Sequence, residues 1–397
     1  MSRLGDASRP GAGEPHRVVL AGARGHGRRH LENIRRLQLA GRLRLVGVCE
    51  LVPLSGAELS GPGCFDGVAQ SADFAALLDA TRATVAVVCT PIPTHTDLAL
   101  AAAERGVHLL MEKPPAPSWA EFQGITDGLD AGGAVCQVGF QSLGSHAIPA
   151  IRALVADGTV GEVLGVGAAG AWVRDEAYYR RAPWAGRRRL DGADVVDGVL
   201  TNPLAHAVAT ALALDGTTRA EEVSAVETEL FRANAIESDD TSCVRITTAR
   251  GRRITVAATL CAQVPDDPYV IVHGSRGRIT FWYKEDRVLV RHGGRAHEAV
   301  HGRTDLLENL VEHLAGSAAL LVPPAATGAF MRVVEAVRRA PDPVALPAAA
   351  WRTAPGESAP RRVVHGIDGL VAAAAETLCL YSELGPSWAS PPRSVTS

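Results

Sequence analysis

Between His16 and about Gly139 the chain alternates short, unbroken apolar runs with helix-like stretches, and this alternation limits the fold more than any other feature. Residues 17–21, 43–49, 84–89, 107–111 and 134–138 read as strands, and 28–40, 73–80, 96–105 and 119–131 read as helices. A strand that is apolar at every position, not at every second one, is covered on both faces. Repeated β-α units of that kind predict a parallel sheet between two helical layers.

After residue 140 the pattern changes. Residues 147–157 predict a helix, 163–173 a strand, and 199–214 a helix opening with Asn202-Pro203, a favoured cap and first-turn pair. From 222 onward, closely spaced strands separated by Gly-rich turns (223–231, 242–248, 253–262, 269–273, 279–283, 288–291) predict an antiparallel meander. Helices are expected over 305–315 and 327–339, a Pro/Ala-rich loop over 340–362, and a helical return over 363–384. The first 15 residues are polar and Gly/Pro-rich without an apolar signal region, which predicts a disordered tail. The expected organisation is a tail over 1–15, a nucleotide-binding domain over 16–140, a second α/β domain over 141–340 and a loop-and-helix extension over 341–397.

Composition removes several classes. Forty basic residues against 43 acidic ones give a net charge of −3, which argues against a nucleic-acid or membrane-surface binder. No uncharged apolar stretch approaches 18 residues, so no membrane helix is expected. The seven cysteines (49, 64, 89, 136, 243, 261, 379) are scattered and lack a CxxC pair, as expected of free thiols in a reducing, cytoplasmic setting. The histidines lack metal-ligand spacing, and no metal is expected. Only two of the 40 basic residues are lysines, Lys113 and Lys284. Against such a bias toward arginine, a lysine is either left by chance or stands where arginine cannot serve.

The stretch Gly22-Ala23-Arg24-Gly25-His26-Gly27 joins the first strand to the first helix. A pyrophosphate can rest there on a helix N-terminus and on backbone amides. Glu50, closing the next strand, can accept the ribose hydroxyls and would repel a 2′-phosphate, so NAD is expected over NADP. Arg24 occupies the position where the glycine fingerprint has its second glycine. Two readings stand: a dinucleotide site in which Arg24 reaches a phosphate oxygen, or a tight turn with glycines for packing alone.

Four stretches together resemble the Gfo/Idh/MocA oxidoreductase family: AGARGHGRRHLENI with His30, CTPIPTHTDLALAAAERGVHLLMEKPPA, Asp157-Gly158-Thr159-Val160-Gly161-Glu162-Val163, and His206. The resemblance runs over roughly 16 to 340 and is most specific at Glu112-Lys113-Pro114. It implies an N-terminal Rossmann doubly wound parallel sheet and a C-terminal α/β domain with a large open, mostly antiparallel sheet. It further implies NAD(P)-dependent hydride transfer on a sugar, cyclitol or related polyol. By the same resemblance Lys113 faces substrate beside the nicotinamide and His206 is the acid/base histidine. Thr90, Pro91, His95 and Glu112 then line the cofactor cleft, with Gly22, Arg24, Gly25, His26, Gly27 and Glu50. The family often carries Asp four residues before the histidine, where this chain has Asn202.

The chemistry of these residue types is consistent with those roles. Histidine titrates near neutrality. Lysine can stabilise alkoxide charge or titrate when desolvated, and arginine does not deprotonate in proteins. His206 is an acid/base or a structural histidine, and Asn202 orients a hydroxyl or opens a helix. The stretch 172–189 holds Trp172, Tyr178, Tyr179, Arg181 and Trp184. It reads as a substrate-binding loop, or as an ordinary packed loop with a solvated Arg cluster. The family also contains enzymes that use NAD transiently to permit elimination, and a non-catalytic nucleotide-binding sensor of the same fold is a further alternative. An open sheet with one apolar face predicts a homo-oligomer.

Overall fold

A computed structural model describes residues 14–60, 65, 67–389 and 393–395. The tail expected over 1–15 lies outside the described residues except for Glu14 and Pro15. The chain divides into two compact units, one of 1–116, 120–139 and 305–324, the other of 117–119, 140–304 and 325–397.

The first unit is built on a six-stranded parallel sheet: β1 (His16–Ala21), β2 (Leu43–Cys49), β3 (Ala69–Ser71), β4 (Val85–Val88), β5 (His108–Met111) and β6 (Cys136–Val138), in the order β3-β2-β1-β4-β5-β6. The central strands contain no exposed residue: Val18 to Ala21 and Val85 to Val88 are all fully buried. Helix α1 (Gly27–Leu39) turns His30, Leu31, Ile34 and Leu37 inward, at helical spacing, and leaves its arginines outside.

Residues 305–324, expected in the second domain, belong to this unit instead. Asn33 donates to both oxygens of Asp305 at 3.0 Å, Gln137 donates to Asn309 at 2.7 Å, and Val138 N donates to the carbonyl of Val322 at 2.9 Å. These polar partners on α1 and at β6 join a buried apolar face of Leu306, Leu307, Leu310 and Val311 in bringing the segment back.

The second unit carries a ten-stranded mixed sheet whose central strand is β7 (Val163–Ala171). On one side of β7 follow Tyr269–Gly274, Gly277–Trp282, Arg287–His292 and Arg295–Val300, all antiparallel. On the other side Arg253–Thr259 pairs parallel to β7, and Thr241–Thr248 and Val223–Arg232 continue antiparallel.

The centre of this open sheet is covered on both faces. Helix Ala205–Asp215 packs on one face of β7 and helix Ile367–Thr377 on the other. Strand alternation shows the division. A Cβ on Gly170 would fall 2.6 Å from Leu204, whereas Cβ atoms on Gly165 and Gly167 would fall 2.4 Å from Leu378 and 1.9 Å from the carbonyl of Ala375. The 341–397 segment therefore belongs to the second unit. It buries Val371, Ala374 and Tyr381 against Ala169, Ala257 and Phe231 on one face of the central strands. Deleting two buried methyls by Val371→Ala should cost about 2 kcal/mol, read as a lower urea midpoint with an unchanged slope.

The 340–362 stretch, expected as loop, contributes strand Trp351–Ala354 of a hairpin closed by Arg361–Val364. The described cysteines, Cys49, Cys89, Cys136, Cys243, Cys261 and Cys379, are free.

Candidate active site

In the first unit, the loops after β1, β4 and β5 leave the carboxyl edge of the sheet side by side. Strands β1 and β4 are neighbours whose connections run to opposite sides, the switch point where such sheets take ligands. Gly22 has φ +81°, and a Cβ there would sit 2.3 Å from the carbonyl of Cys89 at the end of β4. A Cβ on Gly27 would sit 1.9 Å from the carbonyl of Gly22. Both positions exclude any side chain, and Gly25 has nothing within 4 Å of its missing Cβ. The loop thus leaves a bare backbone surface, which fits a dinucleotide.

Glu50 and Arg24 differ from expectation. Glu50 Oε1 accepts from the amides of Ala23 at 2.6 Å and Arg24 at 3.1 Å, so this carboxylate braces the glycine loop as well as closing β2. The Arg24 guanidinium turns to the carbonyls of Val52 and Pro53, with Glu50 at 3.6 Å and Glu58 at 3.8 Å. It is committed to the β2 end of the site, not to the backbone of its own loop.

Beyond β5 the buried Glu112 gathers two imidazoles. His30 Nε2 lies 2.9 Å and His26 Nε2 3.5 Å from its Oε1, and the amide of Lys113 donates to Oε2 at 3.2 Å. Burial pushes the Glu112 carboxyl up, but the two histidines outweigh it and hold the group well below the ordinary carboxylate range. These three are the described residues whose His and carboxylate ligand atoms come within 4.8 Å of one another. The histidines, expected to lack metal-ligand spacing, here form with Glu112 a group that could hold a metal ion, and the 2.9 Å contact of His30 with Glu112 is a hydrogen bond.

A depressed folded value means that Glu112 stabilises the fold fully above its unfolded value of about 4.5. That contribution drains away as pH falls from there to the folded value. Urea titrations of Glu112→Gln against the unmodified chain should show a gap that is constant down to about pH 4.5 and closes as the pH falls further.

His95, expected to line the cleft, is 1% exposed. Its Nδ1 lies 3.0 Å from the carbonyl of Pro114 and its Nε2 3.0 Å from that of Thr90, and burial pushes its imidazole down. It ties the Thr90-Pro91 turn to the Lys113-Pro114 turn. Pro91 is exposed, and Thr90 and Lys113 are half-buried.

The second unit holds His206. Every residue of helix Ala205–Asp215 is buried except this one. Ser142 Oγ lies 3.2 Å from its Nδ1 and accepts from the Thr210 hydroxyl at 3.0 Å. Phe140 meets the ring edge-on at 5.6 Å, and the Tyr283 ring lies at 6.4 Å.

Asn202 does not open the helix, which starts at Ala205 after Leu204. Its amide instead donates to Asp197 Oδ1 at 2.6 Å. Asp197, 5% exposed, also accepts from the amide of Gly186 at 2.7 Å. The carboxylate absent at position 202 is thus supplied to Asn202 from five residues earlier, a link that sequence spacing alone did not show.

Of the aromatic loop, Trp172, Tyr178, Arg181 and Trp184 fall along one strip. Arg181 lies over both Tyr178 and Trp184. Asp175 caps the short helix Glu176–Arg180 that presents it. Tyr179 is turned inward: its hydroxyl is buried without a hydrogen-bond partner among the described residues, and burial raises it well above its usual value.

Residues 16–140 match the oxidoreductase family with an NAD-binding Rossmann fold, and residues 148–280 match the GFO/IDH/MocA C-terminal domain. The chain belongs to the Gfo/Idh/MocA oxidoreductase family. Among curated relatives it is 27% identical over 128 residues to 4-carboxy-2-hydroxymuconate-6-semialdehyde dehydrogenase of Sphingobium sp., covering 31% of this chain and 38% of that one. It is 24% identical over 134 residues to levoglucosan dehydrogenase of Pseudarthrobacter phenanthrenivorans, covering 33% and 34%. The match thus spans well under half the length of either relative. In fold it is similar to the WlbA dehydrogenase from Bordetella pertussis, solved with NADH and UDP-GlcNAcA, with a TM-score of 0.67 at 20% identity over 82% of this chain and 96% of that one. Family membership makes the first unit an NAD-binding domain. Among the described residues no helix is long and apolar enough to cross a membrane.

Proposed function

We propose that the protein oxidises or reduces a carbinol of a sugar, cyclitol or related polyol, exchanging hydride with NAD. The observation that carries this reading is His206, the one residue of an otherwise buried helix that reaches the surface, with its Nδ1 set against Ser142. Bound NAD supplies a nicotinamide C4 that takes the hydride, so that alcohol becomes carbonyl as NAD⁺ becomes NADH. The loop Gly22–Gly27 and Glu50 hold the dinucleotide. Lys113 polarises the reacting oxygen, and His206 takes or returns the hydroxyl proton at Nε2. The printed name of one curated relative, levoglucosan dehydrogenase, supports a sugar-like substrate.

The test is a screen of sugars, sugar acids and cyclitols with NAD and with NADP, following absorbance of the reduced cofactor. Reduction of NAD by at least one member supports the reading. Product release without net NADH would reject simple dehydrogenation in favour of transient oxidation.

A further inference from the structure

Three cations and three aromatic rings alternate along one strip of the second unit. Lys284 Nζ lies 5.9 Å from the Trp172 ring centre. The guanidinium carbon of Arg174 lies 5.1 Å from Trp172 and 4.9 Å from Tyr178. That of Arg181 lies 3.6 Å from Tyr178 and 4.6 Å from Trp184. The negative ring faces hold such cations in place.

Two of the three cations also have a carboxylate. Lys284 pairs with Asp267, and Arg181 lies 3.7 Å from Asp197. Arg174 differs: among the described residues no carboxylate oxygen comes within 4.0 Å of it. Its side chain donates to the carbonyl of Val173 at 2.9 Å and hydrogen-bonds the Tyr178 hydroxyl, which leaves others of its five N–H donors unused. The adjacent Asp175 is engaged elsewhere, accepting from the amides of Tyr178, Ser358 and Ala359. Arg174 is half-buried, so its charge is partly removed from water without a protein anion to replace it.

The strip is linked to the His206 region through intervening residues. Lys284 follows Tyr283, which packs by the imidazole. Asp197, the partner of Arg181, holds Asn202 four residues before His206.

We propose that Arg174 binds an anionic oxygen group, a carboxylate or phosphate, on the substrate, and that the protein prefers sugar acids or sugar phosphates to neutral sugars. The proposal rests on the hydride-transfer reading only for calling the ligand a substrate. A guanidinium held between two rings and still carrying unused donors suits a two-point contact with oxyanions. Arg174 is absent from the residues marked by sequence, because arginine is abundant throughout this chain.

The test measures binding of glucuronate, glucose 6-phosphate and glucose by calorimetry in the presence of NADH. The unmodified protein is compared with Arg174→Met, which keeps a long apolar stem between the rings, and with Arg174→Gln, which keeps a neutral donor. Retention of the unmodified thermal transition shows that each variant is folded. At least one anion should bind about ten- to hundredfold more tightly than glucose, and both variants should lose that advantage. Preference for glucuronate alone assigns a carboxylate; preference for glucose 6-phosphate alone assigns a phosphate. Equal affinities, no binding of either anion, or a preference that survives in a folded variant overturns the proposal. Anion preference without NADH formation on any substrate would discard the hydride-transfer reading and keep the anion site. NADH formation without anion preference would do the reverse.

Discussion

Replacing His206 by alanine should lower kcat by about 10²–10⁴-fold, the usual share of a positioned general acid/base, while NADH affinity stays unchanged. Alanine is the strongest helix former, so the helix should survive the change. Its other residues are buried and hold it against the sheet whatever occupies position 206. The imidazole is not free to wander: Ser142 lies 3.2 Å from Nδ1, Ser142 is in turn bonded by Thr210, and Phe140 closes one edge. Substituting a methyl removes the proposed proton carrier and leaves these supports intact. Stopped-flow hydride transfer and NADH fluorescence titration read the two quantities separately. Turnover equal to that of the unmodified enzyme would make His206 a structural residue.

Lys113→Met should lower kcat by about 10²–10³-fold, the typical cost of removing one electrostatic donor at a developing oxyanion. Lys113→Arg should recover little of that loss. Lys113 is a half-buried residue between buried Glu112 and buried Pro114 in the chain, and His95 fixes that turn from within. A larger, planar guanidinium does not occupy the same point, and it cannot give up a proton. Full recovery by Lys113→Arg would show that charge alone is required and would reduce the lysine to a point of positive potential.

The first unit was legible because its strands are buried on both faces. Leu43–Cys49 was read with its observed bounds, and the other long strands fell within a residue or two. Strand Arg295–Val300 was not read: it is an edge strand whose residues are almost all exposed, so no apolar period marks it. The hairpin at Trp351–Ala354 was hidden by its Pro/Ala-rich surroundings. The start of the His206 helix was misplaced because Asn202, a good cap by type, spends its amide on Asp197. The family motifs pointed to Lys113 and His206 from sequence. Partnerships such as Glu50 with its own glycine loop, His95 with two carbonyls, and Arg174 with two rings depend on folded neighbours. Residue type alone does not specify them.

The helix Ile367–Thr377 closes one face of a sheet whose central strand begins at Val163. Ala375 presses on Gly167 across more than half of the chain. During synthesis, β7 therefore emerges long before the residues that cover it exist. The residues through Thr377 must be made before this layer can close, and until then an apolar sheet face waits exposed. A nascent chain stalled near residue 340 should be a client for holding chaperones, because the helix that covers this face does not yet exist.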